Sequence, residues 1–128
     1  MKLLITTLLV VLASSAWAQP SNIRIGKSDI GPIFQNLDGM TLYTFDNDPL
    51  GQSACTGNCA NRWMPLAAKG RADSGEFTAI TRPNGKKQWA YRGKPLYVWV
   101  MDMEPGQITG HGVGGVWRAA QPLEQLEY

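Results

Sequence analysis

Histidine is nearly absent from this chain: His111 is the only one in 128 residues. Paired histidines that would hold a catalytic zinc are thereby excluded. A serine–histidine–aspartate arrangement would have to recruit His111 from a glycine-rich segment that carries no nucleophile motif. Cysteine is scarce too, with Cys55 and Cys59 alone. No excess of one charge exists: 12 basic residues face 10 acidic ones. That balance argues against nucleic acid or an anionic membrane as the main partner. No long apolar run follows the N-terminal segment, so nothing there approaches the roughly 20 residues of a membrane span. Sustained helical periodicity is missing, and so is any low-complexity tract that would suggest disorder.

The N-terminal segment itself reads as a secretory signal peptide over residues 1–18. Lys2 supplies the positive start, Leu3 to Ala13 the apolar run, and Ala16-Trp17-Ala18 the small-x-small cleavage signal before Gln19. The apolar run is too short for an uncleaved anchor, and no cysteine lies near the cleavage site to take a lipid. Cleavage leaves 110 residues, 11 of them basic and 10 acidic. The expectation is one β domain, residues 19–128, exported to the periplasm or beyond.

What is present happens twice. Tyr43-Thr-Phe45-Asp-Asn-Asp48 recurs as Tyr97-Val-Trp99-Val-Met-Asp102, 54 residues later. Gly39 maps onto Gly93, Leu42 onto Leu96 and Trp63 onto Trp117 at the same offset. An internal repeat sets the architecture first, and residues that recur are better suited to building a frame than to forming a single active site. Tyr43, Phe45, Asp48, Trp63, Tyr97, Trp99, Asp102 and Trp117 are that expected frame.

Each copy, about residues 23–76 and 77–128, reads as a short β-meander, a long loop and a last strand. In copy one the strands are Ile23 to Lys27, Ile33 to Leu37, Thr41 to Phe45 and Trp63 to Ala67. In copy two they are Phe77 to Arg82, Lys87 to Tyr91, Leu96 to Met101 and Trp117 to Ala120. Pro83-Asn84-Gly85-Lys86, Arg92-Gly93-Lys94 and Asp38-Gly39 are the turn signals, and aromatic and β-branched residues fill the strands. Pro65 and Pro122 mark the last strands as short or at an edge. The expected fold is all-β: two four-stranded repeats packed with pseudo-two-fold symmetry as a small sandwich or barrel. Asp48 and Asp102 fall where a strand gives way to a loop, where a carboxylate accepts hydrogen bonds from backbone N–H groups. The functional alternative is a pair of acids or metal ligands.

The repeated Tyr-x-aromatic-x-x-Asp resembles the bacterial family of secreted repeats described as lipoproteins with a Yx(FWY)xxD motif. The resemblance extends to Cys55-x-Gly57-x-Cys59-Ala60-x-x-Trp63-x-Pro65. It also takes in Pro105-Gly106 and Gly112-Val-Gly-Gly-Val-Trp117, and so covers most of residues 38–120. It implies export and repeat architecture. The family's molecular function is unassigned, so it implies no catalytic residues. This chain departs from the family name in lacking a cysteine for lipidation, which favours a soluble form.

Two features break the repeat. Cys55-Thr-Gly-Asn-Cys59 in an oxidising compartment reads as a disulfide. Residues four apart can meet across a helical turn, and so short a loop stabilises by roughly 2 kcal/mol. The same pair could act in redox or copper chemistry, with Arg62 as the nearby cation. Met101, Met103 and His111 form the other candidate. If the strand runs on to Met103, both thioethers project to the side of Trp99, and thioether plus imidazole suits copper(I). The bland reading has the methionines filling apolar gaps and His111 exposed on its loop. Gly110-x-Gly112-x-Gly114-Gly115 precedes a strand rather than a helix, so a phosphate loop is excluded. Tyr91, Arg92 and Trp117 are contact types that could line a groove.

The reading is therefore a secreted or periplasmic, non-catalytic binding or structural interaction module. Its ligand or protein partner in the envelope and its oligomeric state are open, and a groove or aromatic patch is expected near the two long loops. The alternative is a copper-binding or redox accessory protein.

Overall fold

A computed structural model describes residues 2–8, 19–69 and 73–123. The expected cleavage signal lies outside the described residues; residues 2–8 are exposed and without regular structure. No helix among the described residues is long and apolar enough to cross a membrane. The strands are β1 Arg24–Ser28, β2 Gly31–Gln35, β3 Leu42–Phe45, β4 Trp63–Pro65, β5 Phe77–Thr81, β6 Lys87–Tyr91, β7 Lys94–Pro95, β8 Tyr97–Trp99 and β9 Trp117–Ala119. One short helix, α1 (Asn58–Arg62), precedes β4, and a 3-10 turn at Val113–Gly115 precedes β9.

The fold is all-β, as the repeat implies. It comprises the hairpin β1–β2, the sheet β5–β6–β7 and a central sheet in the order β4-β8-β3-β9. These sheets are antiparallel, and among the described residues no barrel closes. The strand expected over Leu96 to Met101 is divided differently. Lys94–Pro95 joins β6, and β8 stops at Trp99, where Asp102 N–H turns back to the Trp99 carbonyl. At the β6–β7 turn both Arg92 (φ 48°) and Gly93 (φ 82°) take the left-handed conformation. Glycine takes it freely, and a tight hairpin requires it at both turn positions.

The halves do not form separate meanders. β3 of the first half pairs with β8 and β9 of the second, and β8 pairs in turn with β4 of the first. Exchanging the halves reverses the order of the central sheet, which places a pseudo-dyad between β3 and β8. There Tyr43 faces its own counterpart, Tyr97. Trp63 faces Trp99, and Phe45 faces Trp117, on the two flanks. Val100 N–H to the Arg62 carbonyl repeats as Asp46 N–H to the Val116 carbonyl. Leu66 N–H to the Leu96 carbonyl repeats as Ala120 N–H to the Leu42 carbonyl.

Alternation along the strands divides the interior. Leu42 and Val98 point into a cluster with Ile23, Phe34, Leu66, Phe77, Trp89, Tyr91 and Leu96. Tyr43, Tyr97, Trp63 and Trp117 point the other way, into a cluster with Ile33, Cys55 and Ala119. The two long loops pack Cys59, Ile108 and Val116 over that second face.

Pro65 and Pro122 marked the last strands for an edge, and β4 and β9 are the two edges of the central sheet. Proline has no N–H to offer another strand. Its counterpart in β9, Ala119, does have one, and that N–H is taken up by His111 Nδ1 at 3.0 Å.

Candidate functional site

The face that carries the repeated motif is built around a column of four stacked rings. Trp63 and Trp117 lie at its centre, 3.7 Å apart between ring centroids and inclined by 1°. Trp99 continues the column beyond Trp63 at 4.0 Å, and Phe45 continues it beyond Trp117 at 4.3 Å. Tyr43 meets Trp63 edge-on, and Tyr97 meets Trp117 in the same way. Each such contact contributes about 0.5–1.5 kcal/mol beyond the burial of area. The central pair is only 4 % and 5 % exposed, so the stacked faces inside the column are not offered to a ligand, while an edge of Trp63 joins Asn58, Cys59 and Arg62 in lining a concavity of about 320 Å³ on this face. Trp99 and Phe45 are half-buried at its ends.

The motif acids are tied across the dyad. Tyr43 Oη donates to Asp102 Oδ2, and Tyr97 Oη to Asp48 Oδ2, each at 2.6 Å. The tyrosine of each copy thus completes the aspartate of the other. The remaining carboxylate oxygens hold the loops. Asp48 Oδ1 accepts the Ala54 N–H at 2.7 Å. Asp102 Oδ1 accepts the Thr109 N–H at 3.0 Å and the Thr109 hydroxyl at 2.6 Å. Both oxygens of each acid are therefore engaged, and neither carboxylate presents a free oxygen to a substrate. Burial, reinforced by the neighbouring carboxylate, holds both phenols well above their ordinary pKa. Burial also raises Asp48, against the lowering effects of Tyr97, the Ala54 N–H and the Arg82 charge.

Beyond this shared frame the two ends differ. Behind Tyr97, Ser53 Oγ lies 2.7 Å from the phenol oxygen. Arg82, 6 % exposed, donates from Nη1 to Ser53 Oγ and Gln88 Oε1, and from Nη2 to the Cys55 carbonyl, each at 2.8 Å. Its acceptors are all neutral oxygens, and it locks the first loop onto β5 and β6. Cys55 and Cys59 are disulfide-bonded within that loop, with Cα atoms 5.2 Å apart. Among the described residues no arginine is placed behind Tyr43 in this way. The Gly110 N–H donates to the phenol at 3.2 Å instead. A Cβ on Gly110 would lie 2.8 Å from Trp63 Cη2 and 2.9 Å from Tyr43 Cε1, so only glycine lets the loop approach this closely.

Met101 and Met103 are exposed beyond the end of β8, so the alternation of a continuing strand does not carry their thioethers to one side. His111 is exposed, and its Nδ1 is occupied by the edge strand. Among the described residues no cluster of three or more His, Cys, Asp or Glu side chains is placed to hold a metal. Nothing in this arrangement favours copper.

Two concavities lie away from the motif face. One, of about 190 Å³, is lined by Tyr91, Arg92, Lys94, Arg118, Gln121 and Leu123, with Thr44 and two alanines beneath. Arg92 is paired there with Glu76, and Arg118 with Asp46. The other, of about 300 Å³, is lined by Arg82, Lys86, Lys87 and Asn84 against Ala60, Pro65 and Ala67. Trp117 lines neither.

Sequence reasoning missed Arg82, Ser53, Thr109 and the ring column. The available signal for the first was polar residues at inward strand positions: Gln88 is fully buried between β6 neighbours. The loops also slip by one residue, since Thr109 does for Asp102 what Ala54 does for Asp48, an offset of 55 rather than 54.

A frame of duplicated strands with its acids and aromatics consumed internally defines a duplicated β module. Residues 25–67 and 78–121 each match the family described as a secreted repeat of unknown function, and the chain belongs to that family. No curated protein and no solved structure matches it significantly.

Proposed function

We propose that this is a non-catalytic binding module of the bacterial envelope, exported by the N-terminal signal and released as a soluble periplasmic or secreted protein. The observation that carries the reading is the fate of the motif. Both aspartates and both tyrosines are spent on each other and on loop backbone, so the recurring chemistry of the repeat holds the fold rather than acting on a substrate. The groove beside Tyr91 supports a binding role. It combines an aromatic wall with Lys94 and with two arginines held in exposed ion pairs, Arg92 with Glu76 and Arg118 with Asp46, and an envelope ligand bearing carboxylate or phosphate groups would exchange for those acids.

The test is a titration of the mature protein with purified peptidoglycan fragments and with lipopolysaccharide, followed by NMR amide shifts. Saturable shifts clustered on Tyr91, Lys94 and Arg118, lost in Arg92→Ala with Lys94→Ala, are expected. Shifts that do not saturate, or that survive both substitutions, would sink the assignment to this groove.

A further inference from the structure

We propose that the seam between the two halves is an interaction surface for a second copy of this chain, engaged by exchange of whole repeats. Every ladder of the central sheet joins one half to the other: β3 to β8, β3 to β9 and β4 to β8. Within each half, the ladders between strands are confined to the hairpin β1–β2 and the sheet β5–β6–β7. Many polar and aromatic contacts cross the seam as well. Tyr43 to Asp102, Tyr97 to Asp48, Trp63 to Trp117, Asp46 to Arg118 and Arg82 to the Cys55 carbonyl all cross the seam. So do the loop bonds from Gly51 N–H to the Gly93 carbonyl and from Gly106 N–H to the Gly39 carbonyl.

A half of this protein is thus a strand donor, a strand acceptor, a phenol and a carboxylate, each seeking the other half. Nothing in those contacts depends on the two halves belonging to one molecule. The covalent tie between them is the polar segment between Ala68 and Phe77. A second chain that supplies its second half to the first half of its neighbour recreates every contact without a new interface, which is why exchange of identical elements is an inexpensive route to association. Addition of a strand to the central sheet is disfavoured at the same time. Pro65 closes one edge of the central sheet, and the bond from Ala119 N–H to His111 closes the other. The partner that fits is another copy, entering through the seam and not at the edge.

Complementation between two full-length variants tests this. One carries Tyr43→Ala with Trp63→Ala, crippling the first half; the other carries Tyr97→Ala with Trp117→Ala, crippling the second. Refolded together from denaturant, they should yield a species of twice the monomer mass by light scattering. That species should regain the near-ultraviolet aromatic signal and a cooperative thermal transition that neither variant shows alone. A mixture equal to the sum of its parts, with no mass-doubled species, overturns the proposal. Should either variant fold unaided, the wild-type protein decides: isotope-labelled and unlabelled chains are mixed before or after unfolding and examined by native mass spectrometry. Mixed dimers only in the co-refolded sample support exchange. Their absence from it, or their equal formation between chains never unfolded, overturns exchange.

Discussion

The loops that follow β3 and β8 start from equivalent positions and cover the same aromatic face, yet they are held down by different chemistry. The first is cross-linked within itself by the disulfide between Cys55 and Cys59, carries the helix α1 and is pinned by the buried Arg82. The second has no covalent closure. It is rich in glycine, passes Gly110 against Tyr43 and Trp63 at a distance no side chain would allow, and uses the His111 imidazole as a plug for the sheet edge. The same geometric task, sealing a stacked-ring column and one strand edge, has two independent solutions. The difference teaches that the frame tolerates divergence in what covers it, provided each loop still delivers one N–H to its aspartate.

The symmetric part of this comparison is broken most severely at the column's centre. Trp63→Ala and Trp117→Ala should each cost about 3–5 kcal/mol, and by similar amounts, in urea denaturation. A large inequality would show that the dyad is geometric but not energetic. Removing one phenol hydroxyl comes next. Tyr43→Phe removes a donor from the 6 %-exposed Asp102 and leaves the Gly110 N–H without its acceptor, whereas Tyr97→Phe removes a donor from the less buried Asp48; each acid keeps its loop N–H. Losses of about 1–3 kcal/mol are expected, with Tyr43→Phe the larger; the reverse order would contradict the burial argument.

Reduction, or Cys55→Ser with Cys59→Ser, should cost about 2 kcal/mol. It should increase hydrogen exchange in the first loop while leaving the second unchanged, and loosening of both loops would mean they are not independent.

pH sharpens the contrast further. Asp48 has its pKa raised in the folded state, so the native protein holds a proton that the unfolded chain releases. Its contribution is present below the ordinary carboxylate value of about 3.9 and is lost as pH rises through the raised value. Asp48→Asn should remove that slope from a plot of denaturation midpoint against pH. Both tyrosines act in the same direction at the alkaline end, where stability should fall above about pH 10 as the unfolded phenols ionise. The smallest effect belongs to His111→Ala, which should quicken exchange of the Ala119 amide with little change in the unfolding midpoint.

Much of this was legible because two kinds of signal are local. Turn residues such as Asn84-Gly85 and Asp38-Gly39 mark hairpins, and alternation sends Tyr43 and Phe45 to one face and Leu42 to the other. Prolines at the last strands pointed to edges. The interleaving was not legible. A repeat of period 54 announces two copies, but nothing in its spacing says whether strand three pairs within its copy or with the other. That choice is made by long-range packing, as when Trp63 stacks on Trp117. Arg82 was hidden for a related reason, since a cation ending an exposed-looking strand reads as solvated until Ser53 and the Cys55 carbonyl arrive from the other half. The Met101, Met103 and His111 grouping rested on a strand that continues; the turn after Trp99 ends it.

The crossing of Tyr43 to Asp102 and of Tyr97 to Asp48 has a consequence for how this chain can change over generations. A tyrosine lost from one copy is not a defect of that copy alone, because the acid it abandons lies in the other. Compensating substitutions should therefore be sought between positions 59 and 49 residues apart, and not within either six-residue motif. The two halves are bound to drift together, each acting as the selective environment of the other.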